Sequence, residues 1–236
     1  MNQILPAAIL FGAAFVHGLA GFAFALLAVP LLIFLWPLQE IVPLLALFGG
    51  TINGLLLLSL RQYFHWRRVS PLWWGSIPGV FLGAIFLSRA PEEYLRMILA
   101  LLLVTYGFWG LLNPRPKVKL GDGWGYFFGF WAGALGAALN TPGPPVVIYV
   151  TLKGWSKEEV KSTLQGYFFG LAALIVSAHA YHGLLSFEVF KRYVFFLPAV
   201  VGGLFLGHRL YYRLSLKAYL RLIYGILILA GVLVWP

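Results

Sequence analysis

Two apolar stretches, 4–35 and 124–152, are each too long for one membrane-crossing helix and too interrupted to be a continuous helix. At 1.5 Å per residue each would run about 45 Å, against a hydrocarbon core of about 30 Å. The first is broken by Gly18 and Gly21 and then by Pro30. The second is broken by Gly133 and Gly136 and then by Asn140-Thr141-Pro142-Gly143-Pro144-Pro145, where three prolines lack a backbone donor. The two interruptions are related: Gly18, Gly21 and Pro30 recur 115 positions later as Gly133, Gly136 and Pro145. Further on, Pro78, Gly83 and Arg89 recur after 120 positions and Tyr94-Leu95-Arg96 after 125. A lag that grows in steps is what a duplication leaves when helices are kept and loops lengthen. A duplicated apolar chain broken at matching places in both halves is the pattern of a secondary transporter, with its substrate site where the halves meet.

The rest of the chain agrees on the solvent. Only 10% of its 236 residues are charged and its mean hydropathy is +0.87, whereas a soluble domain carries roughly 25% charged residues. Six further apolar runs, 41–60, 70–88, 94–112, 162–182, 193–211 and 219–235, have the length of single spans. The partner is the lipid bilayer and the localisation a multi-pass inner (cell) membrane protein. The net charge of +10 sits between apolar runs, which points to loop orientation and excludes a nucleic-acid partner. With no cysteine there is no disulfide or thiolate site. Residues Met1 to Pro6 lack the basic start of a cleaved signal, so this stretch is expected to belong to the mature fold.

Loop charges decide how the broken stretches are inserted. If all eight segments cross, the 17 Lys and Arg residues divide eight against nine between the two sides, which is no bias. If 4–35 and 124–152 return to the side they entered, one side collects the basic residues of 61–68, 115–119, 153–161 and 209–221. The other then keeps only Arg89, Arg96, Lys191 and Arg192. That bias is the positive-inside pattern. The expected fold is an all-α polytopic membrane protein of two inverted repeats, each a broken, re-entrant helical hairpin plus three transmembrane helices. Residues 1–112 form the first repeat, 113–123 a cytoplasmic connecting loop and 124–236 the second repeat, with both termini outside the cytoplasm.

A hairpin whose short helices meet inside the membrane leaves free N–H groups at a half-helix start, and those groups favour an anion. The acids agree, because Glu40, Glu92, Glu93, Asp122, Glu158, Glu159 and Glu188 all lie in loops or at segment ends. None provides a carboxylate cage for a cation. The polar residues at depth are the substrate-binding candidates. Asn140 and Thr141 lie in the second break with Pro142 and Gly143, although Asn140 also suits a half-helix cap. Gly18 and Gly21 in the first break are candidates because glycine lets a ligand approach the backbone closely, and His17, which precedes that break, because an ionisable residue inside the membrane is a functional candidate by default. Asn53 and Gln165 lie within spans, where a lone amide commonly bonds a neighbouring helix instead. His179 and His182 read as interface histidines, since no third ligand is near. Gly79, Gly83, Gly202, Gly203 and Gly207 read as close-packing positions. No catalytic residue, cofactor or metal ligand set is expected.

These residues resemble the sulfite exporter TauE/SafE family, also called the toluene sulfonate uptake permease family. GLAGFAFALLAVPLL (Gly18 to Leu32) is similar to the family's glycine-rich first segment. GALGAALNTPGPPVVIYV (Gly133 to Val150), followed by Ser162-Thr163-Leu164, is similar to its Gly-Pro-Pro segment. The resemblance covers both halves and implies transport of small sulfur-containing or organic anions such as sulfite, thiosulfate, sulfonates or sulfoacetate. Phe22 and Phe24 stand where the family has a glycine cluster, which implies a tighter or more apolar first half-site. A passive anion channel is the alternative, and a membrane-embedded assembly factor a weaker one. The sequence leaves the coupling ion and the oligomeric state open.

Overall fold

The computed structural model describes residues 3–112, 120–153, 155–210 and 216–236, with only the backbone for 151, 157 and 216–223. Most of the connecting loop 113–123 and the first part of the loop 212–218 lie outside the described residues. The elements in order are α1 (Ile4–Ala20), α2 (Phe24–Leu32), α3 (Leu38–Leu60) with a 3-10 turn at Arg61–Tyr63, α4 (Trp66–Arg89) and α5 (Glu92–Leu112). There follow α6 (Trp124–Leu139), α7 (Gly143–Thr151), α8 (Lys157–Tyr181), α9 (Phe187–Leu210) and α10 (Leu216–Val234). Among the described residues there is no strand, and five helices are long and apolar enough to cross a membrane. The protein is an all-α, multi-pass membrane protein.

Both long apolar stretches are broken where glycine and proline accumulate. α1 ends at Gly21, which takes the left-handed conformation (φ 78°) and donates its N–H to the His17 carbonyl at 2.7 Å. Glycine reaches that conformation without steric cost. α6 ends at Asn140, also left-handed (φ 53°), and Thr141 N–H reaches back to the Leu135 carbonyl at 3.2 Å. The Asn140 N–H itself donates to the Gly136 carbonyl at 2.8 Å, the same five-to-one closure as at Gly21, and this left-handed ending takes Asn as well as Gly. The two caps are 119 positions apart. They stand one helical turn from the 115-residue lag of the Gly-Gly-Pro match, so the backbone equates Gly21 with Asn140 and not with Gly136.

Each broken stretch folds back on itself. α1 runs parallel to α9, with Phe11 against Gly203, Phe15 against Gly207 and Gly18 against His208. Past α2 the chain has returned to the start of α9, where Trp36 lies 6.0 Å from the Phe196 ring and 4.5 Å beneath the Arg192 guanidinium. α6 likewise runs parallel to α4, from Gly125 beside Pro71 to Ala137 beside Gly83. α7 returns to the start of α6, bringing Tyr149 within 5.7 Å of Phe128 and Lys153 onto Asp122. The tip of the first hairpin sits beside Lys161 and Gln165, early in α8. The tip of the second sits beside Ile175 and His179, late in α8.

The four most extensive helix pairings are α4 with α6, α1 with α9, α5 with α10 and α3 with α8. Each takes one helix from either half of the chain. Glycines set the closest approaches. A Cβ at Gly79 or Gly83 would overlap the Phe130 or Ala134 carbonyl of α6, and one at Gly203 or Gly207 the Phe11 or Phe15 carbonyl of α1. Small residues allow this contact where lipid supplies no hydrophobic drive for association. Gly202 differs, with only the Phe11 ring edge at 3.7 Å.

Polar contacts sort the loops by end. Arg68 pairs with Glu159 at 2.8 Å, Lys153 with Asp122, and Ser162 donates to the Tyr63 carbonyl at 2.8 Å. Residues 61–69, 120–123, 153 and 155–161 therefore share one end of the bundle. Arg192 pairs with Glu40 at the opposite end, since Glu40 lies in the first turn of α3 and Tyr63 just past its last. Cysteines introduced at positions 117 and 157 should be protected from an impermeant maleimide in sealed right-side-out cells, and a cysteine at 192 should react. Labelling at 117 and 157 from outside would overturn the assignment of the basic loops to the cytoplasm.

Candidate functional site

The two breaks meet in one cavity of about 60 Å³. That volume holds a few water molecules, given the 10–15 Å³ that one water requires on this measure. The first break contributes His17 and Phe22 to Leu26, and the second contributes Asn140, Thr141, Pro142 and Gly143. α3 adds Gly49 and Asn53, and α8 adds Phe168, Leu171, Ala172 and Ile175. Among the described lining residues none carries a fixed charge.

The backbone at both tips is held in unusual conformations. Ala23 (φ 84°) and Asn140 (φ 53°) are the only non-glycine residues with positive φ among the described residues, one in each break. For Ala23 the left-handed conformation costs roughly 1–2 kcal/mol. Strain of this kind persists only where surrounding structure over-determines it, and such positions cluster at functional sites. Ala23 is the N-cap of α2, so the amides of Ala23, Phe24, Ala25 and Leu26 begin that helix without backbone partners. All four residues line the cavity. α7 is different, because Pro142, Pro144 and Pro145 occupy its start and Gly143 is the one free amide there. The donors come mainly from the first break, and the second supplies a preformed wall.

The polar side chains around the cavity are buried and incompletely bonded. Both ring nitrogens of His17, the Asn53 Oδ1, the Thr141 Oγ1 and the Gln165 Oε1 have no hydrogen-bond partner. A buried polar atom left unpaired costs about 1–3 kcal/mol, so a cluster of them marks a place built to receive polar matter. Asn53 Nδ2 donates to the Gly49 carbonyl at 2.6 Å, and Gln165 Nε2 donates to the Gly21 carbonyl at 2.7 Å.

The candidates read from the sequence separate into two groups. His17, Asn53, Asn140, Thr141, Pro142 and Gly143 line the cavity. Gly18 does not; it packs against Leu204 and His208 of α9. Gly21 and Gln165 sit behind the lining, where the amide fastens the α1 tip. Asn140 ends α6, and the N-cap position of α7 belongs to Pro142. Phe22 and Phe24 face the cavity and make the first half-site apolar. His179 is buried instead of interfacial, and its Nε2 lies 2.8 Å from the Ala137 carbonyl, tying the α6 tip to α8. The α8 lining went unread because apolar residues in a span have no distinguishing pattern.

A family model described as Sulfite exporter TauE/SafE matches residues 6–234 of the chain. The chain belongs to this family. The match runs through both hairpins and every helix between them, so the TauE/SafE assignment covers the cavity as a whole. TauE/SafE proteins are transporters of sulfite and related sulfur anions and not enzymes. A small anion and the bilayer are therefore what this family member works with. No curated protein and no solved structure matches the chain.

Proposed function

We propose that this TauE/SafE member is a secondary transporter of the inner membrane that binds a small sulfur-containing anion in the cavity between the two hairpin tips. The observation that carries the reading is the convergence there of four unpaired α2 amides with the unpaired polar atoms of His17, Asn53 and Thr141. Half-helix N–H groups and the positive end of the α2 dipole stabilise negative charge without a buried cation. The cavity has room for an anion of the sulfite, thiosulfate, sulfonate or sulfoacetate class, and the phenyl walls of Phe22, Phe24 and Phe168 supply no competing acceptor. The hairpins approach along α8 from opposite ends, which supports two inverted repeats at 1–112 and 124–236 joined by 113–123, the arrangement in which a central site opens alternately to each side.

Purified protein in liposomes tests this. Uptake of labelled sulfite or thiosulfate against a concentration gradient, driven by an ion gradient, is expected. Flux only down the gradient would make the protein a passive anion channel, and no flux or binding of any small sulfur anion would end the reading. Within this site Asn140→Ala should weaken anion binding by about 1–3 kcal/mol, the cost of a hydrogen bond to a charged group. Calorimetric titration checks it, and an unchanged dissociation constant would place Asn140 outside the site.

A further inference from the structure

One cluster is not explained by anion binding alone. A backbone carbonyl only accepts hydrogen bonds, so the amide that meets it must present its NH2 group. The bonds of Asn53 to Gly49 and of Gln165 to Gly21 therefore fix both amides, and each turns its oxygen elsewhere. Both oxygens are buried without a partner, and His17, buried with both nitrogens unpartnered, stands beside both residues. Two acceptors on one imidazole do not suit its neutral form, which has a single N–H. The imidazolium has two.

We propose that His17 takes up a proton when the anion binds, held between the carbonyl oxygens of Asn53 and Gln165, and so makes the proton the coupling ion. The inference rests on the anion site described above. A charged ring at this depth needs a counter-charge. Of the titratable groups on the elements packed here, Lys161 of α8 faces His17, and His208 of α9 lies beside Lys161. α2 has no titratable residue, and Glu40 and Arg61 lie at or just past the two ends of α3. The facing charge is thus positive, and the anion in the adjoining cavity is what favours the second proton. Anion and proton then strengthen each other's binding by the same factor, as linkage requires. Gln165 joins the two events to the fold, because the residue that accepts from His17 also holds the Gly21 carbonyl at the α1 tip.

The test uses purified full-length protein in weakly buffered detergent, with thiosulfate and methanesulfonate as probes because neither titrates near neutrality. In the wild type, binding should tighten by up to about tenfold for each unit the pH is lowered towards 6, with a proton taken up for each anion bound. His17→Gln should bind more weakly, with an affinity that no longer varies with pH and with proton uptake lost. Gln165→Leu keeps the ring but removes one acceptor, and should cut proton uptake at pH 7 several-fold; it serves if His17→Gln does not fold. Binding that is independent of pH in the wild type, uptake retained in His17→Gln, or a requirement for sodium overturns the proposal and leaves the anion site standing. Failure of both probes and of sulfite to bind at any pH overturns the site and this inference together.

Discussion

A protein carrying Gly143→Val should fold and insert normally and transport nothing. A Cβ at Gly143 has no neighbour nearer than the Leu26 Cδ1 at 4.0 Å, and both residues line the cavity. Gly143 opens the first turn of α7, where Val costs well under 1 kcal/mol relative to other residues. The valine carbons would therefore occupy the space of about 60 Å³ between the tips without disturbing helix packing. Thermal unfolding close to that of the wild type, with anion binding and flux abolished, is the expected pair of results. Wild-type flux would place the substrate elsewhere. Gly21→Val is the informative contrast, because Gly21 has φ 78° and any Cβ there costs roughly 1–2 kcal/mol, more for a branched one. That change should reduce stability and transport together.

The largest loss of folded protein is expected for Gly79→Val. Its Cβ would overlap the Phe130 carbonyl and lie 2.9 Å from the Ala134 amide nitrogen, backbone atoms that cannot move aside. α4 and α6 would have to separate along the most extensive pairing in the bundle. Overpacking typically costs 1–3 kcal/mol where side chains can adjust, and more is expected against backbone, roughly 3 kcal/mol or above. Membrane helices that associate through packing have little to replace it. Gly79→Val should therefore yield little monodisperse protein on size-exclusion chromatography, whereas Gly12→Ala, with nothing within 4 Å, should behave as wild type. Equal yields would show that α4 and α6 do not pack as closely as the glycines imply.

Much of this was legible because breaks have a chemical signature. Gly21, Gly143 and the prolines at 142, 144 and 145 announce two hairpins, and the placement of acids at segment ends excludes a cation cage. The register of the two halves was less legible. Matching glycine with glycine aligns Gly21 with Gly136, but a left-handed cap accepts Asn as well, so the backbone aligns it with Asn140. Gly18 looked like a ligand-approach position and instead admits the backbone of α9, since glycine serves both purposes. Gln165 sits inside a span without periodic context, so its role at the Gly21 carbonyl required the fold. The paired oxygens around His17 needed it too, because which way an amide turns is decided by a carbonyl far away in the chain.

The pairing of α1 with α9 has a consequence for biosynthesis. α1 leaves the ribosome long before its partner glycines, Gly203 and Gly207, are made. Contacts this distant in sequence form late, and exposed segments invite misassembly while they wait. The first half thus has no stable end point of its own: α1, α3, α4 and α5 each await a helix from the second half. Truncation anywhere before α9 should therefore strand the whole first hairpin, not merely remove the missing helices.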